Sequence, residues 1–206
     1  MICIGAGIPR SLVLVAVLAL SAGCNGKADG GPETTLPPLP TASTTPADPY
    51  AVPAVIDEAY VNRVLAALDQ VRGDAVRRFV AVGQVDAEAG IALRSIYNDP
   101  QYVQELEGLG KTDRSRLKTP PGNRRTTATR VLQGQQTCIL AEVLIDFSEV
   151  ALAPPPRPAD EVTSVTLRPT QPGADIRSLN PTPWSTSNAD VLKQGALPSP
   201  EDQCAA

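Results

Sequence analysis

The chain contains no histidine among its 206 residues, a single tryptophan, a single methionine and only 3% aromatic side chains. Without imidazole, Ser-His-Asp and Cys-His catalysis, His-containing zinc sites and acid–base switching near neutral pH are excluded. What is left to an enzyme is chemistry run by Asp, Glu, Tyr or Lys. The sequence also lacks a Gly-rich phosphate loop, a Gly-x-Ser-x-Gly elbow, a Cys-x-x-Cys pair and an Asp-rich calcium loop. No catalytic, metal or cofactor site is therefore expected, and the chain reads as a non-enzyme. Long apolar runs are scarce too. Beyond the N-terminus the longest, Cys138 to Leu144, is broken by Glu142 and is too short to span a bilayer.

The one exception opens the chain. Arg10 is followed by an uncharged stretch, Ser11 to Gly26, whose apolar part runs Leu12 to Leu20 and gives way to Ser21, Ala22 and Gly23. Sixteen residues fall short of the roughly 18 to 20 needed for a spanning helix, so residues 1–23 read as a cleaved signal peptide. Leu20-Ser21-Ala22-Gly23-Cys24 resembles the lipobox of bacterial lipoproteins, with the large aliphatic residue one place further from the cysteine than is usual. That resemblance implies cleavage before Cys24 and acylation of its thiol with fatty acyl chains such as palmitate, two or three in all, as stable anchoring requires. Ordinary secretory cleavage, leaving a free N-terminal thiol, is the alternative.

The four cysteines then divide. Cys3 leaves with the signal, Cys24 takes lipid, and Cys138 and Cys204 remain in a compartment that permits disulfides. They are the natural pair, and closing their loop removes about 4 kcal/mol of unfolded-state entropy on the chain-entropy view. Two buried free thiols are the other arrangement.

Residues 24–53 form the lipidated cysteine and a tether: from Asn25 to Pro53 there are seven prolines, three glycines and five threonines. Such a composition cannot bury enough surface to offset its ordering entropy and reads as a polyproline-like spacer. Its Thr and Ser residues beside prolines also resemble an O-glycosylated stalk.

Residues 54–204 read as one α+β domain. Val61, Val64, Leu65, Leu68 and Val71 recur at helical spacing, with Asp57, Asn62, Arg63 and Asp69 on the remaining faces. This predicts a helix from near Pro53 to Gly73, and intramolecular core rather than a coiled-coil seam. A short second helix carries Val76, Phe79 and Val80 to Gly83, a third starts at Asp86 as N-cap, and a fourth opens on Asp99-Pro100 and ends at Gly110. Past Pro120-Pro121-Gly122 the period becomes two. Ile139, Ala141, Val143, Ile145 and Phe147 share one face of a strand whose other face is mixed, with Arg125 to Gln133 its hairpin partner across Gly134-Gln135. Val162 to Leu167 and Trp184 to Val191 complete three to four antiparallel strands. Three to four helices packed on such a sheet resemble the cone-shaped nuclear-transport-factor-like or cystatin-like folds. A Cys138–Cys204 bond would lay the C-terminal tail over the mixed face, shielding Leu140 and Leu144.

Charge is segregated. From Lys111 to Arg130 seven basic residues face one acid, Asp113, whereas the chain from Cys24 onward carries 17 basic and 22 acidic residues, a net charge of −5. Lys111, Arg114, Arg116, Lys118, Arg124 and Arg125 are thus candidate contacts for an anionic envelope partner, such as a wall polymer or an acidic protein. The alternative is a solvated loop whose arginines cover apolar surface or pair with helix acids. Nucleic acid is a poor fit, since no aromatic side chain lies in the stretch to stack a base. Glu142 and Asp146 share a strand face about 13 Å apart, too far for a carboxylate pair. In Asn180-Pro181-Thr182-Pro183-Trp184 two prolines fix the backbone, so Trp184 is a structural plug or, failing that, a ligand contact.

Together with Pro121-Gly122-Asn123-Arg124, Thr137-Cys138-Ile139, Leu167-Arg168-Pro169 and Cys204, that segment resembles uncharacterised secreted or lipid-anchored proteins of actinobacteria over about residues 55–204. The resemblance implies location and fold rather than chemistry. The functional expectation is a lipid-anchored envelope protein at the extracytoplasmic face, acting as a binding or assembly module. A carrier of a small apolar ligand inside the helix–sheet cone is the alternative.

Overall fold

The computed structural model describes residues 47–154, 156, 158, 161–170, 179–193, 203 and 204. The expected signal peptide, Cys24 and most of the expected tether lie outside the described residues. Three helices, α1 (Glu58–Val82), α2 (Ala87–Ile96) and α3 (Asp99–Lys111), precede four strands, β1 (Arg125–Gln135), β2 (Cys138–Asp146), β3 (Glu161–Pro169) and β4 (Trp184–Lys193). The strands form an antiparallel meander in the order β1-β2-β3-β4. The expected α+β class and the helices-before-strands order therefore hold, with three helices and a single 3₁₀ turn at Arg114–Arg116.

Helix α1 starts where its cap dictates. Asp57 accepts the Tyr60 N–H at 2.8 Å, so the helix opens five residues after Pro53. It does not stop at Gly73, as expected, but continues to Gly83, whose φ of 93° suits a residue without a Cβ and whose N–H bonds Phe79 at 2.8 Å. The glycine at 73 has another cause. Asn123, in the loop before β1, packs directly over it, donating to Gln70 at 2.6 Å and accepting from Arg77 at 2.8 Å. Any Cβ on Gly73 would overlap the Asn123 Oδ1. A mid-helix glycine thus marks a close approach, and the expected first helix and the short second one are a single helix.

Asp86 caps α2 as expected, accepting the Ala89 N–H at 3.0 Å. On α3 the cap position is one residue earlier than expected: Asn98 is the N-cap, though its side chain caps no backbone N–H of the helix, while Asp99 and Pro100 sit inside the first turn. The β1–β2 turn is also displaced, to Gln136-Thr137, because Gly134 and Gln135 still pair with Ile139 and Cys138. Gly134 is drawn into the strand by Ile56, whose Cβ lies 2.9 Å from where a Cβ of residue 134 would be. The last tether residues belong to the folded body: Val52 packs on the core, Tyr50 O accepts from the Tyr60 hydroxyl, and Pro53 O accepts from Gln136.

The core lies between α1, α2 and one sheet face. Ile139, Ala141 and Val143 of β2 meet Val61, Val64, Leu65 and Leu68 of α1, with Val165 and Leu167 from β3. Trp184 is the plug expected of it. Its indole is buried and donates to the Tyr60 hydroxyl at 2.8 Å, so neither polar atom is stranded. Asn180 locks the approach, donating to Ser95 O and Trp184 O at 2.8 Å each and accepting from the Thr182 N–H.

Gly73→Ala tests the notch. Alanine at an exposed helix position normally gains about 1 kcal/mol over glycine. Here chemical denaturation is expected to show a loss of about 1–3 kcal/mol, because Asn123 must be expelled. A gain would refute the close-approach explanation.

Candidate functional site

The residues singled out by charge do not gather at one place. Lys111 pairs with Glu107 and Lys118 with Glu149, while Arg130, in the same stretch, bonds Glu142 at 2.6 Å. Arg114, Arg116 and Arg125 form no ion pair among the described residues and are exposed. Arg124 turns inward.

Arg124 ends in the middle of a buried polar cluster. Its Nε donates to Asp69 at 2.6 Å and its Nη2 to the Tyr97 hydroxyl at 3.1 Å. Asp69, 4% exposed on α1, also accepts the backbone N–H of Thr126 at 2.6 Å and the Thr126 hydroxyl at 3.1 Å. Nearby, Arg72 of α1 grips Glu105 of α3 at 2.6 Å. Burial alone disfavours the Arg124 charge, but Tyr97, Asp69 and Glu105 outweigh it and hold the guanidinium above its ordinary value. Burial pushes the Tyr97 phenol up, with Arg124 pulling the other way. The placement of Asp69 corrects its assignment to a polar helix face, and it withdraws Arg124 from the surface set.

Among the described residues, a cavity of about 30 Å³ is bounded by Asp69, Tyr97, Gln101, Arg124 and Thr126 together with apolar side chains. That is about the share of one water molecule. This cavity is too small for an apolar guest of several carbons.

Gln203 and Cys204 lie against the outer sheet face. Cys138 and Cys204 form a disulfide across 66 residues. Beside it Gln203 accepts from Thr166 at 3.2 Å and, through its backbone carbonyl, from Arg168 at 2.9 Å. Leu140 is fully covered, as expected, whereas Leu144, further along the strand, stays 47% exposed. Asp146 is spent on the turn after β2, where it accepts from the N–H and hydroxyl of Ser148. Glu142 is held by Arg130, so the two acids act separately.

One feature went unread in the sequence. A cleft of about 1020 Å³ lies between the end of α1, α2 and α3. Phe79, Val85, Ile91 and Leu106 give it an apolar lining, Tyr102 carries Arg94 stacked 4.9 Å from its ring, and Arg114 lies at the Gly83 end. Ile91 is the one signal that could have shown it, a large apolar residue on a helix face that is 47% exposed. Among the described residues, no group of three or more Cys, Asp or Glu is placed to hold a metal ion, and no helix is long and apolar enough to cross a membrane.

The chain matches no protein-family model, and neither a curated protein nor a solved structure is significantly similar to it.

Two measurements test the buried cluster. Asp69→Ala is expected to cost about 3–5 kcal/mol, since Arg124 stays buried without its counter-charge. Asp69→Ala with Arg124→Met should recover much of that, and equal losses in both would refute the pairing argument. The second is alkaline titration. Because Tyr97 sits above the ordinary phenol value of 10.0 when folded, its contribution is complete below pH 10 and is lost as pH rises through the folded value. Tyr97→Phe should therefore flatten the fall in stability above pH 10, without abolishing it, because the Tyr60 phenol is raised by burial in the same direction.

Proposed function

We propose that the protein is a non-catalytic binding and assembly module of the bacterial cell envelope, anchored at the extracytoplasmic face of the membrane by lipid on Cys24. The observation that carries this reading is the filled interior. The cavity between helices and sheet beside Asp69 and Arg124 measures about 30 Å³, which favours recognition on the outside of the domain. Arg116 and Arg125, exposed and without ion pairs among the described residues, offer charge there to an anionic wall polymer or an acidic protein surface. The disulfide supports an oxidising compartment, and the Pro/Thr-rich tether supports a domain held off a surface. Helices laid on one face of a simple meander support a cone-like architecture of the nuclear-transport-factor-like or cystatin-like kind.

The second reading, a carrier, moves from the cone interior to the cleft between the helices, which has the volume of a small-molecule site.

The anchor and the module are tested separately. In the native host, fatty-acid labelling should mark the wild-type chain and not Cys24→Ser; label on both would refute the anchor. Crosslinking of the anchored protein in its own envelope should yield a reproducible partner. Arg116→Glu with Arg125→Glu should lower that yield and weaken co-sedimentation with wall material at low salt. Unchanged yields would remove the basic loop from the interface.

A further inference from the structure

We infer that the cleft between α1, α2 and α3 binds a single-chain amphiphile with an anionic head group, the head against Arg114 and the chain along Phe79, Val85, Ile91 and Leu106. This rests on the carrier reading of that cleft and is independent of the assembly reading. Three observations converge. The lining combines apolar side chains with two cations, Arg94 beside Tyr102 and Arg114 beside Gly83. Its two cations differ, however: Arg94 is already engaged by Asp99 at 2.7 Å and by the Tyr102 ring, whereas Arg114 has no counter-ion among the described residues. The single acid of the lining, Asp86, is spent on Arg78 at 2.6 Å and on the Ala89 N–H, so it does not neutralise Arg114. An incoming monoanion therefore meets one free guanidinium at the Gly83 end of the cleft.

The third observation is Gly90. It lies within α2, where glycine costs about 1 kcal/mol relative to alanine. Packing does not ask for it, since a Cβ there would meet nothing closer than the Tyr102 hydroxyl at 3.5 Å, an ordinary contact. What the missing side chain does is keep the wall of the cleft low. A helix position that forgoes stability to leave space is what a binding surface requires.

The test uses the full chain in phosphatidylcholine nanodiscs, titrated with dodecyl phosphate and followed by the methyl resonances of Val85, Ile91 and Leu106. Free probe is fixed against empty nanodiscs. Saturable shifts at those methyls are expected, with decyl phosphate about tenfold weaker, as two fewer buried methylenes require. Dodecanol and inorganic phosphate supply the chain and the head alone, and each should bind at least tenfold more weakly than the whole amphiphile. Arg114→Gln should erase the advantage of dodecyl phosphate over dodecanol. Gly90→Ala should raise Tm by about 2–4 °C while weakening the amphiphile. Equal affinity for dodecanol, an unchanged Arg114→Gln variant, or Gly90→Ala that lowers Tm would each overturn the inference. So would a cleft that saturates with an apolar helical peptide and ignores dodecyl phosphate. None of these results bears on the crosslinking at Arg116 and Arg125, so the two readings fail separately.

Discussion

A buried carboxylate on α1 faces the outer edge of β1, and each would be costly without the other. The first strand of an open meander leaves a row of backbone N–H groups with no strand to receive them. On this edge the receivers are helix side chains. Asp69 takes the Thr126 N–H at 2.6 Å, and Asn62, two turns earlier, takes the Ala128 N–H at 2.7 Å and returns its own amide N–H to the Ala128 carbonyl. The side-chain amide of Asn62 thus stands in for a peptide group. Arg124 then balances the Asp69 charge from the strand side. Because these bonds need α1 to be continuous across residues 62 to 69 and beyond, the long helix and the first strand form as one unit.

The other edge is closed by the same logic with different material. The Asn98 N–H bonds Thr186 O at 2.9 Å, Tyr97 bridges Thr186 in parallel, and Ser185 donates to Asn98 Oδ1. The link between α2 and α3 therefore serves β4 as α1 serves β1. Each edge strand is thus held by the helical layer over part of its length, and Gln203 with the Cys138–Cys204 bond lies on the outer face. Tyr97 has two attachments, backbone to β4 and hydroxyl to Arg124, so the two edge closures share a residue.

This explains which parts were legible in the sequence. The alternation of Ile139, Ala141 and Val143 declares a face because the sheet buries that face along its whole length. The cysteine pair follows from how few cysteines there are, and Asp86 and Trp184 announce local roles through their immediate neighbours. Asp69 and Gly73 do not, because their partners, Thr126 and Asn123, are about fifty residues away and the local pattern has no trace of them. A carboxylate reads as solvent-facing and a glycine as a stop unless the distant partner is known. The basic stretch failed as a unit for the same reason: Arg124 is chemically like Arg125 beside it, yet alternation along β1 sends one to Asp69 and the other to solvent. The cleft is legible only afterwards, since it is a property of three helices' arrangement.

The absence of histidine gains a structural meaning from this. The interior cluster is built from Asp, Arg, Tyr and Glu, with no imidazole among its members. The cavity beside this cluster measures about 30 Å³, against about 1020 Å³ for the cleft beside Gly83. That cleft is lined by the end of α1, by α2 and α3 and by the segment after α3, whereas the α2–α3 link is tied to β4 through Asn98 and Thr186. The bonds that hold the helical layer to the sheet are thus made by Asn62, Asp69, Tyr97 and Asn98, none of which lines the cleft.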